Sequence, residues 1–193
     1  MGGEAQATLT DSNGQPLPAL VGGIAISLDG QWLAAAGERG TVALFDRASG
    51  KLVQKLTGHD ATAGNNGSVR SVIFHPLQPW LFSTGDDRQI IVWSLPQADQ
   101  EAVIAQHWPV DSTAWSLAID PDGQVLASGH TDGSIRLWQL ETSQSPMVAV
   151  GDTDDPQPWR ELKGHQKQIV SGSGKGLAFS PDGQILASAS YDD

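Results

Sequence analysis

Hydrophobic and polar residues alternate in short runs along most of this chain, and turn residues separate the runs. Around Trp115 large residues occupy every second position with small residues between them, which predicts a strand packed on both faces. Pro121-Asp122-Gly123 follows as a turn, and Val125 to Ser128 predicts the next strand. Thr131-Asp132-Gly133 then leads into a third strand, Ser134 to Leu140. The pattern predicts a unit of three strands joined by tight turns.

The unit is repeated along the chain. Related stretches are GIAISLDGQWLAAAGERGTVALFD, SVIFHPLQPWLFSTGDDRQIIVWS, SLAIDPDGQVLASGHTDGSIRLWQ and GLAFSPDGQILASASYDD, which begin at Gly23, Ser71, Ser116 and Gly176. The aromatic residues that end the full units, Phe45, Trp93 and Trp138, are 48 and 45 residues apart. A looser fourth strand, Leu52 to Leu56, precedes Gly58-His59. Four antiparallel strands per period of about 45 residues predict the blades of an all-β propeller.

Several recurring motifs give the chain a family resemblance. The pairs Gly58-His59 and Gly164-His165, the SPDG-type turns and the closing positions Phe45-Asp46, Trp93-Ser94 and Trp138-Gln139 resemble those of WD40 repeats. The resemblance covers nearly the whole chain, and the SPDGQxLAS wording is similar to that of bacterial, particularly cyanobacterial-type, repeats. It implies a WD40-like β-propeller of about four blades, three complete and one partial at each end.

The repeat boundaries divide the chain into five segments. We letter the four strands of a blade a to d in chain order. We expect a partial blade (strands c and d) at 1–21, blades at 22–59, 60–107 and 108–165, and a truncated blade (strands a and b) at 166–193. A seven-bladed propeller needs about 300 residues, so we expect a fragment of a propeller with seven or more blades. Closure into four blades, or pairing of two copies into eight, is the alternative. Ala35, Arg39 and Phe45 depart from the family pattern, so the first full blade should be the least well braced.

A serine, a histidine and an aspartate recur together once per blade, which invites a catalytic triad. The resemblance instead implies structural tetrads in which histidine bridges serine and aspartate and tryptophan caps the serine. Recurrence favours this structural role, because catalysis would single out one copy beside a cleft. The predicted members are His59, Ser83, Asp87 and Trp93; His107, Ser128, Asp132 and Trp138; and His165, Ser188 and Asp192.

Charge and composition narrow the classes of partner. Twenty-two acidic and eleven basic residues give a net charge of −11, which disfavours nucleic acid and anionic membranes. No stretch has the roughly 18 apolar residues of a membrane span. The chain contains no cysteine, which excludes disulfides and thiol catalysis and favours the cytoplasm.

Two stretches resemble ligand-binding loops, but their residues do not have the spacing that such loops require. GSGKG, at Gly172 to Gly176, lacks the earlier glycine and the following Ser or Thr of a phosphate-binding loop. GDTDDP, from Gly151, clusters carboxylates without the alternate spacing of a calcium loop. His75 and His130 have no partner at metal-ligand spacing and are interpreted as turn or rim residues. We therefore expect no metal and no cofactor.

Function is predicted from the connections between strands. Insertions after His59 and His165 lie between strand d and the next strand a, and the resemblance places these connections with the b–c turns on the face that most often holds partners. The prediction is a noncatalytic scaffold that binds a protein or peptide there, and open blade edges also predict self-association. The alternatives are a hydrolase using one Ser-His-Asp set and a regulatory or structural segment of a larger multidomain signalling protein. The predicted contact residues are Arg70, Asp86, Trp115, Thr131, Lys175 and Tyr191.

Overall fold

The fold was described from a computed structural model that covers residues 22–64, 66–96, 100–141, 147–148, 156–169 and 176–192. All regular secondary structure in these ranges is β-strand, arranged in four antiparallel sheets. The all-β prediction is therefore confirmed. The predicted partial blade at 1–21 lies outside the described residues.

The sheets follow one another along the chain, and we call them the first to fourth blades. The first contains β1 (Ile24–Ile26), β2 (Trp32–Ala36), β3 (Thr41–Asp46) and β4 (Leu52–Thr57). The second contains β5 (Val69–Phe74), β6 (Trp80–Gly85), β7 (Gln89–Ser94) and β8 (Val103–Pro109). The third contains β9 (Ala114–Ile119), β10 (Val125–His130) and β11 (Ile135–Glu141), with β12 (Met147–Val148) and β13 (Arg160–Leu162) both paired to β11. The fourth contains β14 (Leu177–Phe179) and β15 (Leu186–Ser188).

Tight turns set the direction of successive strands. In the third blade Gly123 and Gly133 have φ angles of 68° and 82°, in the left-handed region that residues with a Cβ rarely occupy. Asp120 caps the first of these turns, because its carboxylate accepts hydrogen bonds from the backbone of Gln124 and Val125 at 2.7 and 2.9 Å. The Asp-Gly pairs at these two turns therefore form the hairpins that the sequence predicts.

Apolar side chains fill the space between neighbouring blades. The first strands of successive blades pack together, β1 on β5, β5 on β9 and β9 on β14. Between the second and third blades the core is aromatic, with Trp108 stacked on Trp138 at a ring-centroid distance of 5.4 Å and Phe82 tilted against Trp108 at 5.8 Å. Hydrophobic burial between blades therefore holds the array together.

The antiparallel order separates the turns onto two faces. Each b–c turn lies at the same end of the blades as the connection from strand d to the next strand a. We call this end the recognition face, after the binding role predicted for it above. The a–b turns lie at the other end, which we call the opposite face. Within the ranges described, the structure contains no helix long and apolar enough to cross a membrane.

Candidate functional site

The second blade carries a buried line of hydrogen bonds behind the recognition face. Trp93 donates its indole N–H to the Oγ of Ser83 at 2.8 Å, and Ser83 Oγ lies 2.8 Å from Nε2 of His59. Nδ1 of His59 lies 2.9 Å from the carboxylate of Asp87. Since the carboxylate can only accept, Nδ1 carries the proton and Nε2 accepts from the serine hydroxyl. The structure thus brings the four predicted residues of this set together.

The carboxylate of Asp87 is held in its charged form. Burial alone would raise the pKa of Asp87, but the hydrogen bond from His59 and the backbone N–H groups of Asp60 and Gln89 lower it below its usual value. One side chain, that of Asp87, thereby joins the b–c turn of the second blade to the connection between β4 and β5 that precedes this blade.

The third blade differs from the prediction. His107 does not join Ser128, because β8 continues through it to Pro109 and leaves its side chain exposed in the strand. The histidine that meets Ser128 is His130, with Nε2 at 2.8 Å from the serine Oγ. Trp138 completes this end by donating its indole N–H to Ser128 at 2.8 Å. The assignment of His107 to a tetrad is therefore wrong for this structure.

A second serine replaces the missing contact to the aspartate. Ser112 donates its hydroxyl to Asp132 at 2.8 Å, and the backbone carbonyl of Ser112 lies 2.9 Å from Nδ1 of His130. Burial lowers the pKa of His130 to about 4, against the opposing effect of the Ser112 carbonyl. His130 is fully buried, so its interpretation as a turn or rim residue is also wrong.

Sequence reasoning missed Ser112 and His130, although one signal was present. The predicted strand ended at Ser128, but β10 continues to His130. Residues two apart on a strand point to the same side, so a strand of this length places the side chains of Ser128 and His130 next to each other. Gln106 stands before His107 where the other sets have glycine, which marks this pair as different.

The third predicted set is assembled near the surface. His165 Nε2 lies 2.8 Å from Ser188 Oγ, and its Nδ1 lies 3.0 Å from the carboxylate of Asp192. The backbone N–H of Gln166, which donates to Asp192 at 2.8 Å, is the main cause that lowers the pKa of this carboxyl to about 2. Ser188 is exposed, in contrast to the fully buried Ser83 and Ser128.

Three of the predicted contact residues form one cluster on the recognition face. Arg70 at the start of β5 donates from Nε and Nη2 to the two carboxylate oxygens of Asp86, at 2.7 and 2.6 Å. Its guanidinium carbon lies 4.9 Å from the ring centroid of Trp115 at the start of β9. Because β5 and β9 belong to different blades, the cluster bridges the second and third blades.

The other predicted contact residues are placed apart from this cluster. Thr131 is half-buried in the b–c turn of the third blade, where its backbone N–H donates to the Thr113 carbonyl. Tyr191 is 54% exposed and borders a shallow depression with Lys167 and Gln168. Lys175 lies outside the described residues. No hydrogen bond, ion pair or ring contact within the described ranges joins Thr131 or Tyr191 to Arg70.

A nearly buried cation lies beside the third-blade network. Arg136 on β11 is 7% exposed and lies 3.4 Å from Asp132, with Asp111 and Glu161 each at 3.8 Å. The three carboxylates share one guanidinium, so this edge of the face is acidic. Within the described residues no group of three or more His, Asp or Glu side chains is arranged to hold a metal ion. The GSGKG stretch up to Lys175 and the carboxylates of GDTDDP lie outside those residues.

Comparison with known proteins shows which family this chain resembles. A family model described as "WD domain, G-beta repeat" matches residues 50–94, 100–139 and 156–193. The Periodic tryptophan protein 2 homolog of Dictyostelium discoideum is 30% identical over 172 residues, which is 88% of this chain and 16% of that protein. The Small ribosomal subunit protein RACK1y of Oryza sativa subsp. japonica is 32% identical over 62% of this chain and 34% of its own length. The Protein LST8 homolog of Drosophila melanogaster is 26% identical over 85% of this chain and 46% of its own.

These curated relatives are much longer than the region they share, since the chain spans only 16% to 46% of their lengths. A chain in the crystal structure of a mitotic checkpoint complex superposes with a TM-score of 0.68 at 24% identity, covering 88% of this chain and 46% of that one. At that identity the superposition supports the fold alone, which is the predicted propeller. The matches of the family model cover more than half of the chain and establish that it belongs to the WD40-repeat family.

Proposed function

We propose that the chain is a noncatalytic interaction scaffold that binds a protein or peptide through the recognition face. The observation that carries the proposal is the cluster of Arg70, Asp86 and Trp115. Arginine and tryptophan are the residue types that most often dominate the energy of protein interfaces. Here both are on a sheet framework, at the end of the blades where the long connection between β4 and β5 also lies.

The geometry of the cluster favours binding because its side chains are already ordered. The guanidinium of Arg70 donates two hydrogen bonds to the two carboxylate oxygens of Asp86, and it also lies over the ring of Trp115. The side chains of Arg70 and Asp86 are 17% and 8% exposed. A partner that contacts the cluster therefore loses little additional side-chain entropy in that contact. We include Thr131 and Tyr191 as peripheral contacts on the same face, and we add Lys175 as a further proposed contact.

Names of the relatives support a role in assemblies. One is a small ribosomal subunit protein, another is the Target of rapamycin complex subunit wat1 of Schizosaccharomyces pombe, and the superposed chain comes from a mitotic checkpoint complex. We extend to this chain only the general role of a subunit that holds partners.

The buried networks support the noncatalytic part of the proposal. Ser83 and Ser128 are fully buried, and each oxygen accepts an indole N–H, so neither can reach a substrate without unfolding of its blade. The hydrolase alternative would have to use Ser188, which is exposed beside His165. Treatment with a fluorophosphonate probe distinguishes the two, since a scaffold remains unlabelled and a serine hydrolase is labelled at Ser188.

Affinity capture from the source cells tests the binding face. We expect the partners recovered with the wild-type chain to be lost when Arg70 and Trp115 are both replaced by alanine. Trp159→Ala is the matched control, because Trp159 is also partly exposed, at 46%, and among the described residues no hydrogen bond, ion pair or ring contact joins its side chain to the cluster. Circular dichroism verifies that the variants are folded. The same partners on the double variant, in equal yield, would refute the proposed face.

A further inference from the structure

A buried histidine on the opposite face is joined to three backbone groups. His75 follows β5 directly and is 5% exposed. The backbone N–H groups of Leu77 and Gln78 each donate to its Nδ1 at 3.0 Å. Its Nε2 lies 2.9 Å from the carbonyl oxygen of Gly123, in the a–b turn of the third blade. One ring therefore closes its own turn and reaches the neighbouring blade.

These contacts permit only one neutral form of the ring. Nδ1 accepts two hydrogen bonds, so the proton is on Nε2, from which it is donated to Gly123. A second proton on Nδ1 would point at the N–H groups of Leu77 and Gln78. The doubly protonated ring therefore cannot retain the a–b turn as it is built here.

The fit between the ring and the next blade is close. Gly123 has a φ of 68°, and a Cβ added to it would lie 2.3 Å from Cε1 of His75. The strands that precede the two turns, β5 and β9, pack directly on each other. A movement of the ring would therefore change the packing at the junction of the second and third blades.

Charged groups near the ring act in the opposite direction to burial. Asp120 faces His75 from the third blade, and Asp122 is exposed in the same turn. Asp29 of the first blade borders the cavity that His75 also lines. Burial has the largest effect and lowers the pKa of His75 below 6.5, whereas the Gly123 carbonyl and Asp120 raise it. Among the described residues of its own turn there is no other ionisable side chain.

We propose that His75 is a proton-sensitive clamp between the second and third blades, closed when the ring is neutral and opened when a second proton binds. This clamp does not depend on the proposed binding function. It makes the junction an element that loosens as the pH falls through the lowered pKa of His75. The clamp uses a residue that the sequence pattern places in an ordinary turn.

Nuclear magnetic resonance of the imidazole nitrogens tests the closed state directly. We expect His75 at pH 7 to have a protonated Nε2 and an unprotonated Nδ1. Protection of the Leu77 and Gln78 amides from hydrogen exchange, corrected for the intrinsic rates, should fall by about tenfold per pH unit between pH 6.5 and the lower pKa of the folded state. A proton on Nδ1 at pH 7, or protection unchanged across this window, would overturn the clamp.

A substitution provides an independent measurement. Asparagine at position 75 can still accept from the backbone of Leu77 or Gln78, but it is too short to reach Gly123 and does not titrate. We expect the wild-type chain to have a higher urea midpoint than His75→Asn at pH 7, and this advantage should decrease as the pH falls below 6.5. The other four histidines are present in both proteins, so their titration cancels in the difference. An advantage that is equal at pH 7 and pH 5 contradicts the proposal.

Discussion

Replacement of Ser83 by alanine measures how much the buried hydrogen bonds stabilise the second blade. The serine oxygen is fully buried between Trp93 and His59, at 2.8 Å from each donor or acceptor. Its removal leaves an indole N–H and an imidazole nitrogen buried without partners. Each such group costs about 1–3 kcal/mol, so we expect Ser83→Ala to lower the free energy of unfolding by about 2–6 kcal/mol.

Ser188→Ala is the matched control, because Ser188 makes the same contact with a histidine in an exposed setting. The side chain of its partner, His165, is 29% exposed, so water can take the place of the lost hydroxyl. We expect this substitution to cost less than about 1 kcal/mol. The difference between the two serines isolates the contribution of burial.

A double variant tests the cause of the loss. Ser83→Ala with Trp93→Phe copies the first blade, where Ala35 and Phe45 occupy the equivalent positions and are fully buried. Removal of the indole N–H removes one of the two orphaned groups, so the double variant should lose less than the sum of the single losses. Urea denaturation followed by far-ultraviolet circular dichroism measures the wild-type chain, the double variant and the single variants Ser83→Ala, Trp93→Phe and Ser188→Ala. The reasoning is refuted if Ser83→Ala costs less than 1 kcal/mol, or if Ser188→Ala costs as much.

Three further predictions concern stability. In urea denaturation, His107→Ala should change the free energy of unfolding by less than about 0.5 kcal/mol. His130→Ala should lower it by more than about 2 kcal/mol, because the buried partners of His130 lose their hydrogen bonds. Equal effects would support the predicted assignment of His107 to the tetrad of Ser128. The pKa of His130 is lowered from 6.5 to about 4, so the unfolded chain binds more protons between these values, and stability is present above pH 6.5 and lost as the pH falls. We expect His130 to account for a loss of about 2 kcal/mol between pH 7 and pH 5, absent from a His130→Asn variant. Gly123→Ala should cost more than Gly50→Ala by calorimetry, because both have φ near 68° but a Cβ on Gly50 would meet no atom within 4 Å; comparable losses would indicate backbone strain alone.

The repeats were predictable because each depends on residues close together in the chain. Alternating side chains around Trp115 and the Asp-Gly turn at Gly123 determine one hairpin by themselves. The set around Ser83 was also predictable from the resemblance, because the histidine, the aspartate and the tryptophan all stand at family positions. In these cases local geometry and sequence spacing lead to the same answer.

The third-blade network was not predictable from the family spacing. Whether His107 ends a strand or lies within it depends on the length of β8, and strand ends are the least certain feature of any sequence interpretation. The contact of Arg70 with Trp115 and that of His75 with Gly123 both cross between blades. Each depends on how two sheets are rotated against each other, which no residue spacing within one repeat encodes.

The stacked indoles of Trp108 and Trp138 have an optical consequence. At 5.4 Å and an interplanar angle of 25°, their excited states couple, whereas isolated indoles absorb independently. Trp108 is supplied by β8 and Trp138 by β11, so the coupling exists only while the second and third blades are in contact. The circular dichroism of this pair is therefore an intrinsic gauge of the same junction that His75 closes from the opposite face, and it can be followed without attaching a label.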